Sequence, residues 1–199
     1  MYRGDERAPR WTRFTDRVNG VVWRSPLPRR GKAFVSQFVF HNPPMPAARV
    51  AETMQSLDAV GVRAVVIGGW GIDALVGREL RMHRDLDVMV ATGDFDSALA
   101  ALEGMGYERW HCDEAPEPLG RVELSRTQAL RDCALRVVDL HGGNLDRLEL
   151  SRGEVFARPV TCISANQQLE AQVGRTWSRA RRMQRRVNVQ AIRGVIGGE

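Results

Sequence analysis

The sequence predicts an α/β domain: a small mixed sheet flanked by helices. Two observations carry this. From Pro46 onward, helical and extended apolar patterns alternate in the order αβαβαββ over about 110 residues. The composition, 43% apolar and 27% charged, is that of a globular chain with one sizeable core. The apolar runs are only a few residues long, which excludes a membrane-spanning helix.

The elements follow in order. Val50, Met54, Leu57 and Val60 recur at helical spacing, and Gly61 follows as a C-cap. Residues 62–67 read as a buried strand. Residues 71–80 read as a short helix burying Ile72, Leu75 and Val76, with Gly77 near its end. Residues 86–90 form the next strand, and Phe95, Leu99 and Leu102 mark a helix closed by Gly104 and Gly106. Residues 107–112 and 121–125 are strand candidates around a Pro-containing loop. Residues 135–141 (LRVVDLH) make a clearer strand, expected to stop at Gly142-Gly143-Asn144. Residues 155–162 read as one more strand and 165–173 as a helix. The Arg-rich stretch 175–193 has little apolar material and reads as a solvated helix.

The expected organisation is a basic, disordered extension over 1–44, a catalytic domain over 45–163, and a short helical Arg-rich tail over 164–199. Residues 1–44 lack sustained periodicity and carry several prolines; residues 33–40 suggest a short strand that HNPPMP would break. Translation starting at Met45 is an alternative expectation, and MYRGDERAPRW has no apolar segment behind it to make a secretory signal. The net charge of +5 conceals an acidic middle between two basic ends. Residues 1–44 hold nine Lys/Arg against three Asp/Glu, residues 45–150 eleven against eighteen, and residues 151–199 nine against three. Nucleic acid binding through the ends is thus allowed but not favoured. Cys112, Cys133 and Cys162 are isolated and odd in number, which suits unpaired thiols in a reducing cytoplasm.

The chemistry concentrates in residues 65–87, VVIGGWGIDALVGRELRMHRDLD. Gly68-Gly69 permits close backbone approach, and a helix starting there would offer unpaired N–H groups to phosphates. Asp85 and Asp87 share one face of an extended strand, roughly 6.6 Å apart. Side-by-side carboxylates repel unless a cation or a proton intervenes, and Mg²⁺ would relieve that while organising a nucleotide's phosphates. Asp139 sits inside another apolar strand, where a lone carboxylate is costly. It completes a candidate metal set of Asp85, Asp87 and Asp139, and is placed to deprotonate an attacking hydroxyl. Arg78, Arg81, His83 and Arg84 suit either phosphate clamping or a polar loop. His141, two residues after Asp139, is a ligand, an orienting residue or a bystander. Asp73 reads as an exposed or capping residue that supports the loop, and Trp70 as a packing anchor.

Gly-Gly, then Asp-x-Asp, then a third carboxylate on a later strand resembles the polymerase-β nucleotidyltransferase superfamily. The segments GGWGIDALVGRELRMHRDLDV and VVDLH are similar to lincosamide and aminoglycoside O-nucleotidyltransferases, over about residues 45–162. The resemblance implies that Asp85 and Asp87 hold Mg²⁺, and that Gly68 and Gly69 meet the nucleoside triphosphate; Arg78, Arg81 and His83 are the nucleotide-binding candidates that the residues themselves add. It implies Asp139 as the activating carboxylate. The implied reaction moves an NMP, AMP from ATP for example, onto a hydroxyl of a small antibiotic-like acceptor, releasing pyrophosphate. Beyond Gly174 the chain departs from the family pattern. The alternatives are a nucleotidyltransferase modifying RNA or protein, and a degenerate member retained for nucleotide binding or interaction.

Overall fold

A computed structural model describes residues 43–113, 123–173 and 179–198. The elements in chain order are α1 (Ala47–Ala59), β1 (Ala64–Val66), α2 (Gly68–Val76), β2 (Asp85–Ala91), α3 (Phe95–Gly104), β3 (Glu108–Asp113), β4 (Leu124–Arg131), β5 (Val137–Gly143), β6 (Leu150–Val155), β7 (Arg158–Ile163), α4 (Ala165–Val173) and α5 (Arg179–Gly197). The seven strands form one mixed sheet in the order β3-β4-β5-β2-β1-β7-β6. β2 lies parallel to β5 and antiparallel to β1, and β1 lies parallel to β7.

Strand alternation divides the sheet into two faces. Leu86, Val88 and Val90 of β2, with Val138 and Leu140 of β5, point into a core shared with Val50 and Leu57 of α1 and Leu99 and Leu102 of α3. The opposite face carries a smaller apolar cluster, Val65, Ile67, Met89, Leu145, Leu148 and Ile163. The acidic residues of β2 and β5 stand on that second face, away from α1 and α3.

Four elements differ from the sequence expectation, each for a tertiary reason. The strand expected over 155–162 is instead the β6–β7 hairpin. Its turn falls at Phe156 and Ala157, which adopt φ of 53° and 56° without glycine to announce it. β5 runs through Gly142 and Gly143 rather than stopping there. A Cβ on Gly142 would lie 2.9 Å from the Phe95 ring, and one on Gly143 2.3 Å from Met89 Cε, so the glycines admit packing across the sheet. β4 lies later and runs longer than the strand expected over 121–125; residues 121 and 122 fall outside the described residues. Finally, α5 is not solvated all round: Asn188 and Ile192, one turn apart, are buried, and the helix packs on α2 and α4. Residues 1–42 of the N-terminal extension, with its strand candidate, and residues 114–120 of the loop also lie outside the described residues. No described helix is long and apolar enough to cross a membrane.

Candidate active site

The site forms where β1 turns into α2 and β2 passes alongside. Residue pairing between β2 and β5 sets Asp87 opposite Asp139, on the same face of adjacent strands. Neighbouring strands run about 4.8 Å apart, so the two carboxylates are near neighbours. Asp85, two residues earlier, shares that face and is exposed. Burial pushes the Asp139 carboxyl up to about 7; the Asp87 charge adds to the shift, His141 opposes it, and Asp85 adds further.

Helix α2 begins at the glycines themselves, earlier than expected, with Ile67 extended at the N-cap and no side-chain cap. Gly68 has φ of 62°, in the left-handed region that favours glycine. A Cβ there would sit 2.1 Å from Asp87 Oδ2, so the carboxylate lies directly against the backbone of the turn. A Cβ on Gly69 would sit 2.3 Å from His83 Nδ1 and 2.6 Å from an Arg81 guanidinium nitrogen. Gly68 thus permits close approach by a side chain of β2, and Gly69 by side chains of the loop leading into it.

That loop has a buried support. His83 Nε2 donates to Asp73 Oδ2 at 2.6 Å, with both side chains almost wholly buried, and the Leu80 amide donates to the same oxygen at 3.2 Å. Trp70 stacks on His83 at 4.7 Å between ring centroids, as a packing anchor. With 1% of its surface exposed, His83 braces the glycine turn from inside. Asp73 is likewise not exposed; it is the loop's buried acceptor. His83→Ala, which strands the Asp73 carboxylate, is expected to cost roughly 3 kcal/mol of stability. A denaturation midpoint within about 0.5 kcal/mol of the original would refute the bracing role.

Arg81 is half-buried beside the glycine turn. Burial lowers its pKa from the usual arginine value, while Asp73, Asp85 and Asp87 pull the other way. Arg78 is exposed just past the Gly77 cap, and Arg84 is exposed before β2. His141 stands on the carboxylate face of β5: its Nε2 lies 3.3 Å from Asp87 Oδ1 and its Nδ1 2.9 Å from Thr127 Oγ1. Thr127 was invisible in the sequence because its strand was misplaced and only pairing across β4 and β5 brings it to His141. His141 was visible through its spacing of two from Asp139.

Among the described residues, no three acidic, His or Cys groups already form a metal-holding cluster. Mg²⁺ does not require one, since it is commonly held by one or two carboxylates, waters and substrate phosphates. The chemistry of the set fits: hard oxygen donors on one face, with Asp139 raised partly because it and Asp87 repel.

The model of the aminoglycoside-2''-adenylyltransferase family matches residues 49–186. A lincosamide resistance protein from Staphylococcus haemolyticus is 27% identical over 110 residues, 51% of this chain and 68% of that protein. The lincomycin-bound lincosamide antibiotic adenylyltransferase LnuA is similar in structure, with a TM-score of 0.62 at 18% identity, over 77% of this chain and 99% of that one. ANT(2'')-Ia in complex with adenylyl-2''-tobramycin gives a TM-score of 0.53 at 16% identity, over 76% of this chain and 95% of that one. The structural likenesses establish the nucleotidyltransferase fold. The family match spans both the carboxylate strands and the start of α5, and with it the chain belongs to the aminoglycoside-2''-adenylyltransferase family of nucleotidyltransferases.

Proposed function

We propose that this protein is a Mg²⁺-dependent nucleotidyltransferase that moves AMP from ATP onto a hydroxyl of a small, antibiotic-like acceptor. The observation that carries the proposal is the pairing of Asp87 with Asp139 beside the uncapped, glycine-led start of α2. Asp85 and Asp87, with Asp139, would hold Mg²⁺, which when bound neutralises triphosphate charge and aligns the α-phosphate. The amides at the start of α2 and the Arg81 guanidinium receive the triphosphate, and exposed Arg78 lies nearby to add charge. Asp139 takes the proton of the acceptor hydroxyl as its oxygen bonds to the α-phosphorus. The bond from that phosphorus to the bridging oxygen breaks, and pyrophosphate leaves with its electrons. An ATP donor assigns the reaction to the cytoplasm.

The linkage sign of Asp139 makes the burial of that carboxyl testable without an acceptor. Its folded pKa is raised above 3.8, so its stabilising contribution is fully present below that value and is lost as pH rises through about 7. Metal-free protein should therefore lose stability, on the order of a few kcal/mol, across this window. Asp139→Asn should flatten the loss, and Mg²⁺ should raise Tm more above pH 7 than below pH 4. Identical pH profiles for the two proteins would overturn the buried, raised-pKa carboxyl at Asp139.

The function itself is tested by incubating the protein with Mg²⁺, labelled ATP or GTP, and panels of lincosamides, aminoglycosides and bulk tRNA. Label on a drug, absent in Asp87→Asn, is the expected result. Label on RNA, or no acceptor-dependent pyrophosphate release, would reject it.

A further inference from the structure

We propose that His141 is a positioning residue for the transfer: held by Thr127, it fixes Asp87 in the rotamer that faces Gly68 and Asp139. This rests on the reading of Asp87 as a metal-holding carboxylate. Asp87 is gripped from two sides. Its Oδ2 lies against the Gly68 α-carbon, where a Cβ would be 2.1 Å away. Its Oδ1 lies 3.3 Å from His141 Nε2. The imidazole is itself anchored, because Thr127 Oγ1 is 2.9 Å from Nδ1. Both contacts are satisfied when Nε2–H donates to the carboxylate and the Thr127 hydroxyl meets Nδ1.

At 3.3 Å the contact with Asp87 is long, so its worth lies in direction rather than in energy. That is what a side chain supporting a metal ligand supplies: it leaves the other carboxylate oxygen available and removes rotamer freedom in advance. The His141 side chain is only 14% exposed, so the imidazole is well shielded from water. Cross-strand pairing also leaves it little freedom. His141 pairs with Thr127 on β4 on one side and with Met89 on β2 on the other. A surface bystander would have neither the anchor nor the confinement.

The test uses full-length, nucleotide-free protein titrated with Mn²⁺ alone, read by electron paramagnetic resonance, beside steady-state transfer kinetics. His141→Leu is expected to weaken Mn²⁺ binding by about 10- to 100-fold and to lower kcat comparably, with the acceptor KM little changed. His141→Gln, which can place an amide N–H where Nε2 stood, should recover most of the loss. Thr127→Val, which removes only the anchor, should weaken binding several-fold, and it keeps the proposal open to refutation if His141→Leu fails to fold. In an Asp87→Asn background, His141→Leu should add nothing, because it acts through Asp87. Wild-type Mn²⁺ affinity in folded His141→Leu, with binding abolished by Asp87→Asn, would overturn the role of His141 alone. Binding that survives Asp87→Asn, or is undetectable in the wild type, would overturn the metal reading beneath it.

Discussion

Asp87→Asn is expected to lower the transfer rate by at least about 10³-fold while leaving the fold intact. The substitution is nearly isosteric, and the backbone carbonyl of Asp87 still accepts from the Ile67 amide that ties β2 to β1. What disappears is the charge. Asp87 is the central carboxylate, paired across β5 with Asp139, two residues from Asp85, and pressed against the turn that opens α2. An amide there offers one weaker oxygen donor and directs an N–H₂ group towards Gly68 or His141. Two measurements check this: pyrophosphate release with each acceptor, and the rise in Tm on adding Mg²⁺, which should shrink in the variant. A secondary consequence follows from electrostatics. Removing the Asp87 charge removes one cause of the raised Asp139 pKa, so that carboxyl should titrate lower in the variant. Full activity in Asp87→Asn would exclude it from the reaction.

Gly68→Ala should be nearly as damaging to turnover, by a different route. The residue has φ of 62°, which costs an L side chain about 1–2 kcal/mol. Its new Cβ would be 2.1 Å from Asp87 Oδ2, closer than any real contact, so the carboxylate or the turn must move. Displacement near 1 Å is enough to lose on the order of 10²-fold in rate. The expected pattern is a modest fall in Tm with a large fall in kcat. Gly77→Ala is the matched control: Gly77 also has positive φ, of 72°, but no atom stands within 4 Å of its would-be Cβ. It should show the backbone cost without the loss of turnover. Equal kcat in the two variants would mean that contact between Gly68 and Asp87 has no bearing on the reaction.

The carboxylates and the glycine turn were legible in the sequence because each announces itself locally. An aspartate inside VVDL, or between Leu86 and Val88, violates the apolar expectation of a strand and so draws attention. Arg81 and His83 were legible as residues near the site but not in their roles. Nothing local distinguishes a histidine turned towards ligand from one turned inward to a buried aspartate ten residues earlier. The strand containing Thr127 was hidden for a related reason: SRTQALR has neither clean alternation nor a continuous apolar run. It becomes a strand because β3 and β5 flank it on both sides. The turn at Phe156-Ala157 is the extreme case, since two non-glycine residues adopt left-handed backbone there under the pairing of β6 and β7.

By itself the sequence determined the alternation of helices and strands, the family to which the chain belongs, and the three acidic positions that we propose hold the metal. These depend on periodicity and on spacing within a few residues, which the linear chain carries in full. The tertiary structure decided the pairing of Asp87 with Asp139, the grip of Gly68 and His141 on one carboxylate, the inward turn of His83 and the docking of α5 on α2. Each depends on strand pairing or on packing between distant segments, where the lowest free energy is set by burying apolar surface and satisfying buried polar groups together.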